Sequence, residues 1–245
     1  MELKDTGTTG TLAAVRRDVV ACARCARLRT YCERIATEKR AAYRDETYWA
    51  KPVPGSGDPA ARIVIVGLAP AAHGANRTGR MFTGDGAGGS GDFLATALHA
   101  TGLASQPFSR DAGDGQTLTD TWILAAVRCA PPDNKPTPEE IAHCHTHFRA
   151  EVDALPRARV LVALGRIAFD ACLRLLAERG PFADASPGIC PRRGVFLRSR
   201  RDAHRVLPSE PAEHKHRKAD TGHAARNIPE STRDPGPERR LRSWA

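Results

Sequence analysis

The chain has 245 residues, with 37 Lys and Arg against 28 Asp and Glu, and seven cysteines. It is long enough to bury one core of ordinary size and needs no second folding unit. A net charge of +9 favours an anionic partner such as nucleic acid, but residues 191–245 hold 14 Lys and Arg against 7 Asp and Glu, so most of the excess belongs to the tail and the preceding domain is close to neutral. No apolar run approaches the roughly 20 residues of a membrane helix, and no basic, apolar, then small-residue leader opens the chain. An intracellular, cytoplasmic protein is therefore expected. In that compartment clustered cysteines point to metal or redox chemistry and away from disulfides.

Apolar residues at Leu12, Val15, Val19, Val20 and Leu28, set among Arg and Glu, predict helix from Leu12 to Lys39 interrupted by a turn at Cys22-Ala23-Arg24-Cys25. Tyr48 to Pro59 (YWAKPVPGSGDP) is too rich in proline and glycine for helix and predicts an ordered loop. Arg62–Gly67, Trp122–Val127 and Val160–Leu164 are short β-branched runs of the buried, parallel type. Helical patterns at Phe93–Thr101, Pro138–Leu155 and Arg166–Arg179 follow them in turn. This alternation predicts a three-layer α/β/α fold with a mostly parallel central sheet, whose ligands sit beyond the carboxyl ends of the strands. The loops after Gly67 and after Val127 are thus the places for chemistry. From about Pro181 the chain carries many Arg, Pro and His and no clear period, which predicts a domain over residues 1–190 and a basic, disordered tail over 191–245.

Cys22 and Cys25 form a C-x2-C pair, and Cys129 and Cys144 flank the segment RCAPPDNKPTPEEIAHC. Four thiolates suit a tetrahedral zinc site or a four-iron cluster, and spacing alone leaves the two open, as it leaves open four independent buried thiols. Cys32 is a conceivable rival ligand because it follows the first pair closely. Cys172 falls on the apolar face of a helix and is expected in the core, and Cys190 lies close to the tail.

The loop from Gly67 to Asp85 (GLAPAAHGANRTGRMFTGD) is glycine-rich, polar, and follows a buried strand. It reads as a ligand loop, or else as a long surface turn, with one aromatic (Phe82), one carboxylate (Asp85) and two cations (Arg77, Arg80) that could meet phosphate.

This loop, preceded by YWAKPVPGSGDP and followed by RCAPPDNKPTPEE, closely resembles the type-5 branch of the uracil-DNA glycosylase superfamily over residues 12–180. The resemblance implies hydrolysis of the N-glycosidic bond of uracil and other deaminated or damaged bases in DNA, initiating base-excision repair. It implies a monomer acting on DNA, and a [4Fe-4S] cluster of structural role on Cys22, Cys25, Cys129 and Cys144, so that iron outranks zinc. Phe82 matches the aromatic that stacks on a flipped base, against the alternative of an ordinary core Phe. Asp85 matches the candidate acidic residue, against a turn-capping Asp. Gly67, Ala69, His73, Asn76 and Ala125 fall at base- and substrate-binding positions. Ala69 stands where other branches carry a water-activating polar group, and Ala125 where stricter branches carry an Asn that reads uracil, which implies loose specificity.

The superfamily's second catalytic element, a His-Pro-Ser loop after the last core strand, is missing, and with it the C-terminal strand and helix. In its place stands VLPSEPAEHKHRKADTGHAA, Val206 to Ala225. Allowed codons for this stretch, shifted by one nucleotide, can spell Ser-Cys-His-Pro-Ser followed by a helix-like sequence, so a frameshift between about Pro181 and Val206 is expected. His204, His214, His216 and His223 then carry no catalytic role, and the chain as it stands is inactive or impaired. The competing reading is a catalytically inactive, iron–sulfur or zinc DNA-binding remnant.

Overall fold

A computed structural model describes residues 11–83 and 88–179, together with the backbone of two further strands. The strands are β1 (Ser56–Gly57), β2 (Ile63–Gly67), β3 (Thr121–Ala125), β4 (Val160–Ala163), β5 (Gly188–Cys190) and β6 (Gly194–Arg198), in one sheet of order β1-β3-β2-β4-β6-β5. The three central strands are parallel, with Gly67 beside Ala125 and Val66 beside Ala163 at their carboxyl ends. β1 is antiparallel to β3, β6 to β4, and β5 to β6. The predicted parallel centre is thus present with antiparallel edges. Beside β4, where the sequence predicts a missing strand, β6 is paired; its short apolar run (GVFLR) is hidden in the Arg-rich composition around it.

Side chains alternate across a strand, so a run apolar at every position must be covered on both faces. Val64, Val66, Trp122 and Leu124 pack with Phe148, Val152, Ala168, Cys172 and Leu175. Their neighbours Ile65, Ile123 and Ala125 pack on the other side with Val53, Ala75, Met81 and Leu98. The first cover comes from α5 (Pro138–Asp153) and α6 (Arg166–Glu178), the second largely from α3 (Ala75–Thr78) and α4 (Ser90–Ala100), with α1 (Leu12–Val20) and α2 (Ala26–Glu38) preceding the sheet. Cys172 is fully buried in the first cluster, as expected of a core cysteine, and burial pushes its thiol up to about 12. α5 starts where it does because Thr137 and Glu140 form a reciprocal capping box with Pro138 in the first turn. None of the described helices is long and apolar enough to cross a membrane.

The most demanding element of the core is charged. Arg128, just past β3, is 1% exposed, and its Nη2 lies 2.7 Å from Oε2 of the equally buried Glu151 on α5. The pair is close but not aligned as a hydrogen bond, and Arg128 Nε and Nη1 find no hydrogen-bond partner among the described residues. Glu151 Oε1 accepts from Trp122 Nε1 at 3.0 Å. Gly55 passes so close that a Cβ there would fall 2.2 Å from Glu151 Oε1 and 2.4 Å from Trp122 Nε1. Next to it, the Val53 amide donates to the Arg128 carbonyl at 2.7 Å. Removing one partner of such a pair leaves the other charge buried and alone, which costs about 3–5 kcal/mol. Glu151→Ala is therefore expected to lower unfolding stability by about that much in denaturant titrations. Adding Arg128→Met to it should recover most of the loss; a double variant no better than the single would show that the burial of charge is not what matters.

Candidate functional site

The C-x2-C turn between α1 and α2 is clamped onto α5 by the arginines that flank its second cysteine. Arg24 Nη1 donates to the His143 carbonyl at 3.1 Å and to Thr146 Oγ1 at 2.7 Å, and its Nη2 lies 3.3 Å from His147 Nε2. Arg27 grips Glu140 with Nε at 2.8 Å and Nη2 at 2.7 Å, a two-pronged contact that uses the same carboxylate that caps α5. Glu140, Cys144, His147 and Glu151 share one face of α5 at helical spacing, and all four are buried. That polar stripe is visible in the sequence as soon as the helix is assigned, yet neither Glu140 nor Glu151 is picked out by motif reading.

Cys22 and Cys25 are half-buried at the turn, while Cys129 and Cys144 are buried in one cluster with Cys32 and Leu28. Burial, then the neighbouring sulfurs of Cys144, Cys129 and Cys22, push Cys25 up to about 11. Burial likewise pushes Cys144 up to about 11, against the Arg128 amide and charge that favour its thiolate, with Cys129 and Cys22 adding to the rise. Cys25 and Cys144 are thus each within electrostatic reach of the other three predicted ligands. Cys32 shares the buried cluster with Cys129, and its Sγ donates to the Ala130 carbonyl at 3.7 Å. The interaction of the two thiols and then burial raise Cys129 above the usual thiol range, and the same interaction lowers Cys32. No three His, Cys, Asp or Glu side chains among the described residues converge tightly enough to hold an ion as they stand. The donor set fits a thiophilic centre nonetheless. Four sulfurs that oppose one another's ionisation in a buried setting can become thiolates together only around positive charge.

The second candidate element continues directly from β2. Beyond the last ladder pair, Ala126 and Val127 donate to the carbonyls of Gly67 and Leu68, so the two loops leave the sheet side by side. Ala125 is fully buried, and Ala69 is half-buried against the cysteine cluster. Phe82 has a left-handed backbone, φ 55°, which strains an aromatic residue by about 1–3 kcal/mol. Its ring lies over Gly67, where a Cβ would fall 2.7 Å from Cζ and 2.8 Å from Cε2. Glycine is required at 67 for that close approach. Asp85 lies outside the described residues, as do His204, His214, His216, His223 and the stretch from Val206 to Ala225; Cys190 is described only as backbone in β5.

The polar residues of this loop are tied inward. His73 Nδ1 is 3.0 Å from the Tyr48 hydroxyl. Asn76 is 1% exposed, its Nδ2 donates to the carbonyls of Cys32 and Ala72 at 3.3 Å, and its Oδ1 has no partner among the described residues. Arg77 pairs with Glu46, donates to the His73 carbonyl at 2.8 Å and stacks over Tyr43. Arg80 holds Asp114 and Ser109. Burial would raise the Asp114 carboxyl, but the Arg80 guanidinium with the amides of Arg110 and Gln116 brings it down to about 2. Arg77 and Arg80, which the sequence offers to phosphate, are instead internal struts. A strap at the start of the predicted ordered loop Tyr48 to Pro59 completes the site: the amides of Trp49 and Ala50 donate to the carbonyls of Arg77 and Asn76, and the Trp49 ring covers Gly79.

His147 gives this region a pH signature. Burial, and then the charges of Arg24 and Arg128 against a weaker pull from Asp18, bring its pKa down to about 4. A histidine held neutral in the fold stabilises it fully above the unfolded value of about 6.5, and that contribution is lost as pH falls from there towards about 4. Thermal unfolding should therefore show a steeper decline between pH 6.5 and 4 in the parent than in His147→Gln; parallel curves would exclude His147 as the group responsible.

A family model described as the uracil DNA glycosylase superfamily matches residues 54–219. The chain is 53% identical over 169 residues to the type-5 uracil-DNA glycosylase of Thermus thermophilus, a match covering 69% of this chain and 74% of that protein. To the type-5 enzyme of Mycobacterium tuberculosis it is 46% identical over 175 residues, covering 71% and 64% respectively. A more distant likeness, 33% identical over 117 residues, links it to the type-4 uracil-DNA glycosylase of Archaeoglobus fulgidus, over 47% of this chain and 49% of that protein. Together with an α/β sheet whose two loops leave the carboxyl ends of β2 and β3 side by side, these matches settle the family: the chain belongs to the uracil-DNA glycosylase superfamily, in its type-5 branch.

Proposed function

We propose that the chain is a DNA glycosylase, a hydrolase of N-glycosyl bonds that removes uracil and other deaminated or damaged bases from DNA and so initiates base-excision repair. The observation that carries this reading is Phe82, an aromatic ring held by strained backbone over Gly67 at the carboxyl end of β2. A base swung out of the duplex needs a flat apolar surface, and stacking on such a ring contributes about 1–3 kcal/mol.

Bond cleavage leaves positive charge on the sugar and negative charge on the base, so the site needs a carboxylate near the sugar and donors near the base. Asp85 is our candidate for the first role, since Ala69 offers no polar group. The small, buried Ala125 gives no side-chain hydrogen bond to the base edge, which supports a broad range of lesions. Gly67, His73 and Asn76 shape the base pocket, the last two chiefly by holding the loop to Tyr48 and to α2. Cys22, Cys25, Cys129 and Cys144 would hold a [4Fe-4S] cluster, or zinc as the less favoured alternative, and the bound group would supply a structural cross-link between the N-terminal helices, the loop after β3 and α5. The tail over 191–245 is proposed to be a frameshifted sequence lacking the His-Pro-Ser loop, which limits activity and leaves nonspecific attraction to DNA.

The test is an excision assay on uracil-containing duplex DNA, run on this chain and on a version with the reading frame restored. Base release by the restored protein, weaker in the chain as it stands, is the expected result. No release by either would overturn the proposal in favour of an inactive DNA-binding remnant. Iron with visible absorbance supports the cluster, and a colourless zinc protein would remove it. Within the active version, Gly67→Ala should displace the Phe82 ring and lower kcat/KM for excision about as much as Phe82→Ala, roughly tenfold or more. Phe82→Tyr should stay near the parent.

A further inference from the structure

A cleft of about 680 Å³ opens between α1, the C-x2-C turn, α2 and the strap, and it is lined by Arg16, Arg17, Arg29, Lys51, Trp49 and Glu33. Four cations face one carboxylate there, in a domain whose charge is otherwise near balance. Glu33 is already bound to Arg29 at 3.0 Å. Arg16, Arg17 and Lys51 are exposed and have no carboxylate partner among the described residues; Lys51 Nζ lies 5.8 Å over the Trp49 ring. Arg29 adds a buried Nη1 without a hydrogen-bond partner among those residues.

The cleft adjoins the loop of the candidate base site through one shared wall residue, Trp49. Trp49 lines it, and the same ring covers Gly79 in the loop that carries Phe82. The strap turns at Ala50, with φ 51°, immediately before Lys51. Cys22 forms another part of the wall, so a ligand in the cleft sits against the turn that bears the cysteines. The loop's own arginines are engaged within the protein, which leaves this cleft as a concentration of unpaired positive charge next to the site.

We propose that the cleft seats the phosphodiester backbone of the DNA strand beside the flipped nucleotide, with Arg16, Arg17 and Lys51 on the phosphates and Trp49 as the wall towards the base. The inference rests on DNA being the substrate and names where its backbone lies. Spaced cations along a groove with an aromatic wall fit a repeating phosphate polymer better than a single small anion.

Binding of the full-length protein to a fluorescent duplex, titrated over a range of salt, tests it. Each lost phosphate contact lowers the slope of log affinity against log salt by about 0.9. Arg16→Ala with Arg17→Ala should lower the slope by about 2, and Lys51→Gln, on a separate element, by about 1. The control removes the same charge at the opposite end of the sheet, Arg157→Ala with Arg159→Ala, and should leave the slope unchanged; the basic tail is common to all four proteins. Cleft variants that keep the parent slope, or a control that falls as far as they do, would overturn the proposal. If such a protein still releases uracil, only the placement of the backbone is wrong and the glycosylase reading stands. A parent chain that binds no DNA would end both.

Discussion

A guanidinium with almost no exposure to water is tolerable only where a carboxylate has been buried with it, and the Arg128–Glu151 pair sets this condition for the whole carboxyl-terminal side of the sheet. Arg128 is the residue before Cys129, and Glu151 is two helical turns beyond Cys144. The pair therefore fixes how far the loop after β3 can stand from α5, and with it the separation of two of the four cysteines. The same carboxylate holds Trp122, and the two leave room for nothing larger than glycine at position 55. One buried charge pair thereby links the loop before β2, the end of β3 and α5.

Around this pair the molecule spends its polar side chains on itself. Arg24, Arg27, Arg77 and Arg80 all end on protein acceptors, and Asn76 reaches the backbone of α2. The loop after β2 is therefore held from several directions. Fixed dipoles of this kind are what catalysis by charge stabilisation requires, because groups that must reorient during the reaction return part of what they contribute.

Much of the fold is legible in the sequence because it depends on local pattern. β-Branched runs with turn signals at their ends place β2, β3 and β4 within a residue or two, and the helical pattern that begins at Pro138 places α5. The C-x2-C turn and the glycine-rich loop are legible for the same reason. What escapes is pairing across the chain. Arg27 meets Glu140 and Arg128 meets Glu151 through tertiary packing, and a single sequence carries no mark of such partners. Cys32 is readable only as a possible fifth cysteine, while its contact with Cys129 follows from how α2 settles on the loop after β3. The inward direction of Arg77 and Arg80 is hidden too, since an arginine in a polar loop looks the same whether it faces solvent or Glu46 and Asp114. The strands β5 and β6 escape for a compositional reason, being short runs inside an Arg-rich segment.

The left-handed backbone at Phe82 has a consequence for timing. A phenylalanine free to rotate on a surface loop would lose its rotamer freedom at the moment something stacked on it, at about 0.5–1.5 kcal/mol of affinity for an immobilised side chain. Here the ring is already confined against Gly67, so that entropy is surrendered when the protein folds and not when it binds. Stability is reduced once, and every subsequent encounter meets a surface that is already in position.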